Sequence, residues 1–368
     1  MQVIKIVLDC IQLWIPFKDT IMTKAMLSSP SVLIRCDGSK DIGFGHVFRC
    51  LALAGELIKS HNCRVVFAMR ESEVGIKLVK KYYDVIPSDS SSGDFNYEQW
   101  LVQCIKASTS DILILDVRDG LNEQNMKTLR SLGVKIVTID DPEEKRIQSD
   151  MAFYPPIPQI QEYSWAGFKG DLFVGWDYVV LRKEYFERKN RQQYKIKNIL
   201  VAMGGSDNLN LTQMVVSILA PLEHDYSLNI LLGPGYQYVS ELKNTLDQAH
   251  IKNEIFVNPN NVAEIMSKSF FAIASFGVTA YELAALGIPS ILVSISADHL
   301  KSASIFSEEG VSINIGEYST FDKNQLLMEV NRLLGNPKLI EEMSGSALKL
   351  FKSNNLQLIS EAIMTLMN

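Results

Sequence analysis

The sequence predicts an α/β chain of two Rossmann-like domains, with parallel sheets facing one another across a cleft. Three observations carry this. Short apolar runs rich in branched residues alternate with segments of helical periodicity through the first half. The same grammar restarts near residue 198. Most of the glycine clusters fall at the carboxyl ends of apolar runs, where a doubly wound sheet binds its ligands. The chain has 368 residues, 47% hydrophobic and 21% charged, enough for two cores at roughly 100–200 residues per domain.

The first strand is predicted from Val32 to Asp37, running into the loop from Gly38 to Gly45 and a helix from His46 to Leu57. Strands follow at Arg64 to Met69, Asp111 to Asp116 and Lys135 to Asp140, with helices at Val74 to Lys81 and Gln124 to Leu132. Strands separated by helices pair in parallel through right-handed crossovers. From Met151 to Lys197 the pattern reads as irregular, and the basic, polar run from Arg188 to Lys197 is taken as an interdomain linker. The second half opens with a strand from Asn198 to Met203, the loop Gly204-Gly205-Ser206-Asp207 and a helix from Leu211 to Leu219. Further strands are predicted at Ser227 to Leu232, Ile255 to Val257, Phe271 to Ala274 and Ser290 to Ile295. The expected division is an extension over 1–30, an N-terminal domain over 31–186 and a C-terminal domain over 198–368. The last helix is expected to return to the N-terminal domain.

Charge excludes one class of partner. With 36 basic against 42 acidic side chains and no long Lys/Arg run, the chain lacks the electrostatic term that nucleic-acid binding depends on. No stretch reaches the ~18 uninterrupted apolar residues of a spanning helix, and the first thirty positions are broken by Lys5, Asp9, Pro16, Lys18 and Asp19. No membrane partner is expected, and that segment reads as a non-essential extension or a misassigned start. Cys10, Cys36, Cys50, Cys63 and Cys104 never form C-x-x-C, which suits reduced thiols in a cytoplasmic protein. No metal and no cofactor are expected, and a monomeric state is compatible with this composition.

Three clusters carry chemistry. In Asp37-Gly38-Ser39 to Gly43-Phe44-Gly45-His46, the glycines allow close main-chain approach and His46 stands at the mouth of a helix. Neither the G-x-G-x-x-G order of a dinucleotide site nor the G-K-[ST] ending of a P-loop is present. The second cluster is Gly204-Gly205-Ser206-Asp207, and the third runs from Ser275 to Glu282. Both set backbone N–H groups of a helix start where an anion could sit, and together they suit a diphosphate. Glu282, about one turn into its helix, is placed to bind a ribose; the competing reading is an ordinary capped helix with a solvated acid. Asp140-Asp141 could touch sugar hydroxyls or form a solvated turn or cap, and Arg35 and Arg49 could reach an anion or be solvated or paired. Asp298-His299 follows the last clear strand and could line the cleft. His61, His224 and His250 carry no hypothesis.

The segment from Ile34 to Ala54, the run Ala202-Met203-Gly204-Gly205-Ser206-Asp207 and the run from Glu282 to Pro289 together resemble a known family. It is that of the pseudaminic-acid pathway UDP-sugar hydrolases and the related spore-coat polysaccharide proteins. The resemblance covers most of the chain after about residue 31. It implies the GT-B fold, similarity to the glycosyltransferase that makes peptidoglycan lipid II, and hydrolysis of UDP-2,4-diacetamido-2,4,6-trideoxy-β-L-altropyranose to free sugar and UDP. Carried over by residue, His46 matches the catalytic histidine, with Asp37, Gly43 and Gly45 on the sugar side. Gly204, Gly205 and Ser206 match the diphosphate loop, and Ser275, Gly277, Thr279 and Glu282 the UDP-binding segment. Tyr281 stands where the family typically has an asparagine and is assigned to the substrate. The implied mechanism is inverting, with His46 activating water. A glycosyltransferase with a hydroxyl acceptor, or a non-catalytic nucleotide-sugar binding protein, are the alternatives.

Overall fold

The computed structural model describes residues 29–39, 42–70, 73–88, 95–186, 197–222, 225–351 and 355–367. The extension over 1–30, apart from its last two residues, the linker run from Arg188 up to Lys197, and His224 lie outside the described residues. The chain divides into two compact units.

The first unit holds seven parallel strands: β1 (Ser31–Cys36), β2 (Arg64–Met69), β3 (Asp84–Pro87), β4 (Ile112–Asp116), β5 (Lys135–Ile139), β6 (Met151–Tyr154) and β7 (Asp171–Val174). Their order is β3-β2-β1-β4-β5-β6-β7. Helices α1 (Gly45–His61), α2 (Glu73–Val79), α3 (Tyr97–Ser108) and α4 (Glu123–Arg130) make the crossovers. β1 lies between β2 and β4 and is buried along its whole length, which is why it reads as an almost unbroken apolar run. α1 buries Val47, Cys50, Leu53, Ala54 and Leu57 on one stripe and stops at Asn62, whose left-handed backbone returns its N–H to the Ile58 carbonyl.

Two strands occupy the stretch read as irregular. β6 and β7 have four residues each, too few for a period to declare itself, and Pro155, Pro156 and Pro158 between them mask the pattern. β3 escapes for the same reason; as an edge strand it tolerates Pro87 at its end.

The second unit holds β8 (Lys197–Ala202), β9 (Tyr226–Leu232), β10 (Asn253–Val257), β11 (Phe271–Ser275), β12 (Ser290–Ser294) and β13 (Ser312–Glu317), all parallel, in the order β10-β9-β8-β11-β12-β13. Its helices are α5 (Leu211–Leu219), α6 (Val239–Gln248), α7 (Val262–Ser267), α8 (Val278–Ala285), α9 (Ala297–Glu308), α10 (Lys323–Gly335) and α11 (Pro337–Leu350). Phe271, Ile273, Ile291 and Val293 from the central strands meet Leu211, Val215, Leu326 and Val330 from the helices in one core.

The final helix, α12 (Asn355–Met364), belongs with the first unit and lies against α1. His61 Nε2 is 3.1 Å from Ser360 Oγ, Cys63 Sγ is 3.6 Å from Met364 Sδ, and Asn355 Nδ2 donates to the Trp176 carbonyl at 2.7 Å.

Candidate active site

In each sheet the strand order reverses between two neighbours, β1 and β4 in the first and β8 and β11 in the second. Open α/β sheets bind ligands outside the carboxyl ends of such strands. In the first unit, β1 feeds the glycine loop and α1, and His46 is the second residue of that helix. Asp116 ends β4 and pairs in register with Cys36, so it comes up beside the loop from which His46 projects. His46 Nδ1 lies 2.7 Å from Asp116 Oδ1. Arg49, three residues on along α1, donates from Nε to Asp116 Oδ2 at 2.6 Å and from Nη2 to Oδ1, and its Nη1 reaches Asp140 Oδ2 at 3.3 Å. Cys50 Sγ adds a contact to Asp116 Oδ2 at 3.2 Å. The Asp116 side chain is 0% exposed and that of His46 32%.

Burial opposes ionisation of Asp116, but the Arg49 guanidinium and His46 outweigh it and hold its carboxyl well below the usual carboxylate range. Arg49 in turn is kept charged against its own burial, chiefly by Asp116. In the sequence Asp116 stands out only as the carboxylate that closes an otherwise apolar strand, and it is absent from the expected site residues.

Around them, Gly43 takes a left-handed φ of 77° and its carbonyl accepts from Ser39 N–H at 3.2 Å, closing the loop. Arg35, for which the sequence allows a solvated, paired or anion-reaching side chain, is paired and fully buried within β1. Its guanidinium forks onto Asp37 at 2.6 and 2.5 Å and donates from Nε to Tyr97 Oη at 2.9 Å. The Arg70 N–H also donates to Asp37, at 2.7 Å, so the Asp37 carboxylate is engaged within the unit.

The Asp140-Asp141 pair divides its labour. Asp140, in left-handed backbone with φ 51°, turns to Arg49. Asp141 is 2% exposed and lies 3.2 Å from Lys145 Nζ, which is closer still to Asp119 (2.7 Å) and the Val117 carbonyl (2.7 Å) and also pairs with Glu143. Burial pushes the Asp141 carboxyl up to about 6, and Lys145, shared among three acids, offsets this only in part. The sign follows. In the folded chain this group takes up its proton near 6, in the unfolded chain near ~3.9, so the native state binds more protons in between and stability falls as pH rises through that window. Asp141→Asn is expected to raise stability at pH 7 by about 2 kcal/mol and flatten its dependence between roughly pH 4 and 6, which melts across that range would check.

In the second unit, Gly204 has a φ of 89°, and a methyl group on it would sit 3.6 Å from Ser275 Oγ: the loops after β8 and β11 run side by side. A methyl group on Gly233 would fall 2.1 Å from the Gly205 carbonyl oxygen, so only glycine fits there, and the Gly235 N–H donates to that same oxygen at 3.1 Å. Gly204, Gly205, Ser206, Ser275 and Gly277 thus share one edge of the sheet. The start of α5 differs from expectation: the Asp207 carboxylate accepts from Leu211 and Thr212 N–H at 2.8 Å each and closes that helix end. α8 follows Gly277 with no side chain capping it, Thr279 is its second residue and Glu282, half-buried, its fifth. Tyr281 is 7% exposed, its ring edge-on to Phe276 at 6.0 Å and Phe306 at 4.9 Å. The Asp298 carboxylate accepts from Gln159 Nε2 at 2.8 Å, and the His299 ring packs against Phe276. Among the described residues, no three His, Cys, Asp or Glu side chains are grouped as a metal centre requires, and no helix is long and apolar enough to cross a membrane.

No family model matches the chain. It is 29% identical over 357 residues to an uncharacterized protein of Methanocaldococcus jannaschii, covering 89% of this chain and 71% of the relative. Its relatives include the spore coat polysaccharide biosynthesis protein SpsG of Bacillus subtilis, 22% identical over 82% of this chain and 88% of that one. They also include the UDP-2,4-diacetamido-2,4,6-trideoxy-beta-L-altropyranose hydrolase of Campylobacter jejuni, 27% identical over 65% of this chain and 82% of that one. Among solved structures it superposes on Acinetobacter baumannii MurG with a TM-score of 0.67 at 19% identity, over 91% of this chain and all of the other. A glycosyltransferase from Rickettsia africae gives 0.65 at 12%, over 93% and 99%. The fold is GT-B. Each of the two GT-B units carries its own switch point, and the glycine loops described above stand at both.

Proposed function

We propose that this GT-B chain is a UDP-sugar hydrolase of surface-glycan synthesis. It releases free sugar and UDP from a UDP-linked 2,4-diacetamido-2,4,6-trideoxy sugar on the route to a nonulosonic acid, with inversion, in the cytoplasm. The carrying observation is His46, a part-exposed imidazole at the carboxyl edge of the first sheet, at its switch point and backed by a buried carboxylate. The names of the hydrolase and polysaccharide relatives support the substrate class.

In this reading His46 takes a proton from water as its oxygen bonds to the anomeric carbon, and the bond from that carbon to the diphosphate oxygen breaks. General-base help of this kind is worth ~10²–10⁴ in rate. Backbone N–H groups around Gly204, Gly205, Ser206 and the uncapped start of α8 receive the charge that collects on the diphosphate, and Glu282 binds the ribose. Asp37, Gly43 and Gly45 shape the sugar side. Tyr281 acts from behind, its ring seating Phe276 beside the UDP segment. The transferase reading draws on the glycosyltransferase fold and on Ile42 and Phe48, exposed by 59% and 39% next to the His46 loop, which could meet an apolar acceptor. UDP release from UDP-sugars with no acceptor present is the expected result. Release only when an acceptor is added would replace hydrolysis by transfer, and silence with every UDP-sugar would reject both.

A further inference from the structure

We infer that Asp116 is a positioning residue that selects Nε2 of His46 as the atom accepting the proton, and that Arg49 is the positioning residue for Asp116. This rests on the base role proposed above for His46 and gives that base its tautomer. A neutral imidazole has one nitrogen that donates and one that accepts, and the partner of the first decides which is which.

Asp116 is buried and held ionised, so it can only accept hydrogen bonds; the nitrogen facing it at 2.7 Å, Nδ1, therefore carries the hydrogen. The lone pair is left on Nε2. Arg49 Nη2 lies 3.1 Å from the same Nδ1 and, as a donor, would favour a bare Nδ1, but the ionised carboxylate at 2.7 Å is the shorter, charge-assisted partner and decides the assignment. Its donors are directed at Asp116 instead, one to each carboxylate oxygen, which fixes the plane of the carboxylate as a fork does. Cys50 Sγ meets Oδ2 from below, one residue further along α1. Arg49 is itself tethered, through Nη1, to Asp140 at the end of β5.

His46 and Arg49 are three positions apart on α1 and so share one face of it, while Asp116 and Asp140 end the neighbouring strands β4 and β5. The helix and the two strand ends are thereby locked through four side chains. A purely structural ion pair between Arg49 and Asp116 would have no need of the imidazole, and its loss would leave the tautomer of His46 unchanged. That difference can be measured.

The test uses the full chain labelled with ¹⁵N-histidine. Long-range ¹H–¹⁵N correlation spectra are recorded as a pH series, and the tautomer is read on the plateau where the His46 shifts no longer change. The His46 signals are assigned by their loss in His46→Gln. The wild type should show hydrogen on Nδ1 and a bare Nε2. In Asp116→Asn the carboxamide can donate to Nδ1, so the hydrogen should move to Nε2, with kcat for UDP release falling about 10²–10⁴-fold and KM holding within about threefold. Arg49→Lys keeps the charge but not the fork; it should retain the tautomer and lose about tenfold in kcat. A wild-type His46 with its hydrogen on Nε2 overturns the proposal, as does an Asp116→Asn variant with unchanged tautomer and turnover. Should Asp116→Asn fail to fold, the wild-type spectrum and Arg49→Lys decide. If the wild type releases no UDP from any UDP-sugar, the hydrolase reading fails, while the spectra still report on Asp116.

Discussion

Turnover in His46→Ala is expected to fall by about 10²–10⁴-fold, while UDP still binds. The two halves of this expectation come from different places. The imidazole is the group placed to take the proton of water, so its removal strikes the chemical step. The proposed UDP contacts all come from the second unit, around Gly204 to Ser206 and Ser275 to Glu282, and the substitution touches none of them. The fold should survive as well, because Asp116 keeps both arms of Arg49 and the Cys50 thiol when the imidazole has gone. UDP release followed by coupled assay, beside a calorimetric titration with UDP, reads the two halves separately. Wild-type turnover in the variant would reject the assignment of His46 as base, and loss of UDP binding would show that the two units are not independent in holding the nucleotide.

The second large effect concerns stability. Lys145→Met is expected to cost about 3–5 kcal/mol, since it removes the cation placed among Asp119, Asp141 and Glu143 and leaves Asp119 and Asp141 as acids that water does not reach. The Lys145 and Asp119 side chains are both 0% exposed, so solvent screening offers no relief. The loss would spread, because Glu143 also accepts from the N–H groups of Asp119 and Gly120, and Tyr97 links Asp119 to Arg35. These contacts join the turns that follow β4 and β5, which carry Asp116 and Asp140 at their starts. Denaturant unfolding should show the full loss. Adding Asp141→Asn to Lys145→Met should recover part of it, as one of the stranded charges is removed; strict additivity of the two changes would mean that Lys145 and Asp141 do not interact.

How much of this was legible in the sequence depended on range. The strand, glycine loop and helix that deliver His46 are consecutive, and local turn chemistry together with a change from an apolar run to helical spacing marks them plainly. The helix Leu211–Leu219 was legible to the residue for the same reason. Asp116 was not, because its meaning depends on β4 lying next to β1 with β2 and β3 displaced to the far side, a fact of topology 70 residues removed from His46. Arg35 was hidden by its neighbours, an apolar strand in which a single guanidinium looks like an outlier until Asp37 and Tyr97 are seen to enclose it. Asp207 was read as part of an anion loop, whereas geometry commits its carboxylate to the two amides that begin α5. Tyr281 was read by its place beside Glu282, and only packing shows its ring turned to Phe276 and Phe306.

The return of α12 to α1 sets an order of events during synthesis. Residues 183–351 of the second unit leave the ribosome as one stretch, apart from the short piece 157–159 that precedes them, so that unit can complete its sheet while the chain is still being made. The sheet begun by β1, though translated first, keeps one flank of α1 bare until α12, whose buried residues include Leu356, Ile359 and Ile363, emerges to cover it. The half that is born earlier is therefore the half that matures later, and it is the half that carries the imidazole.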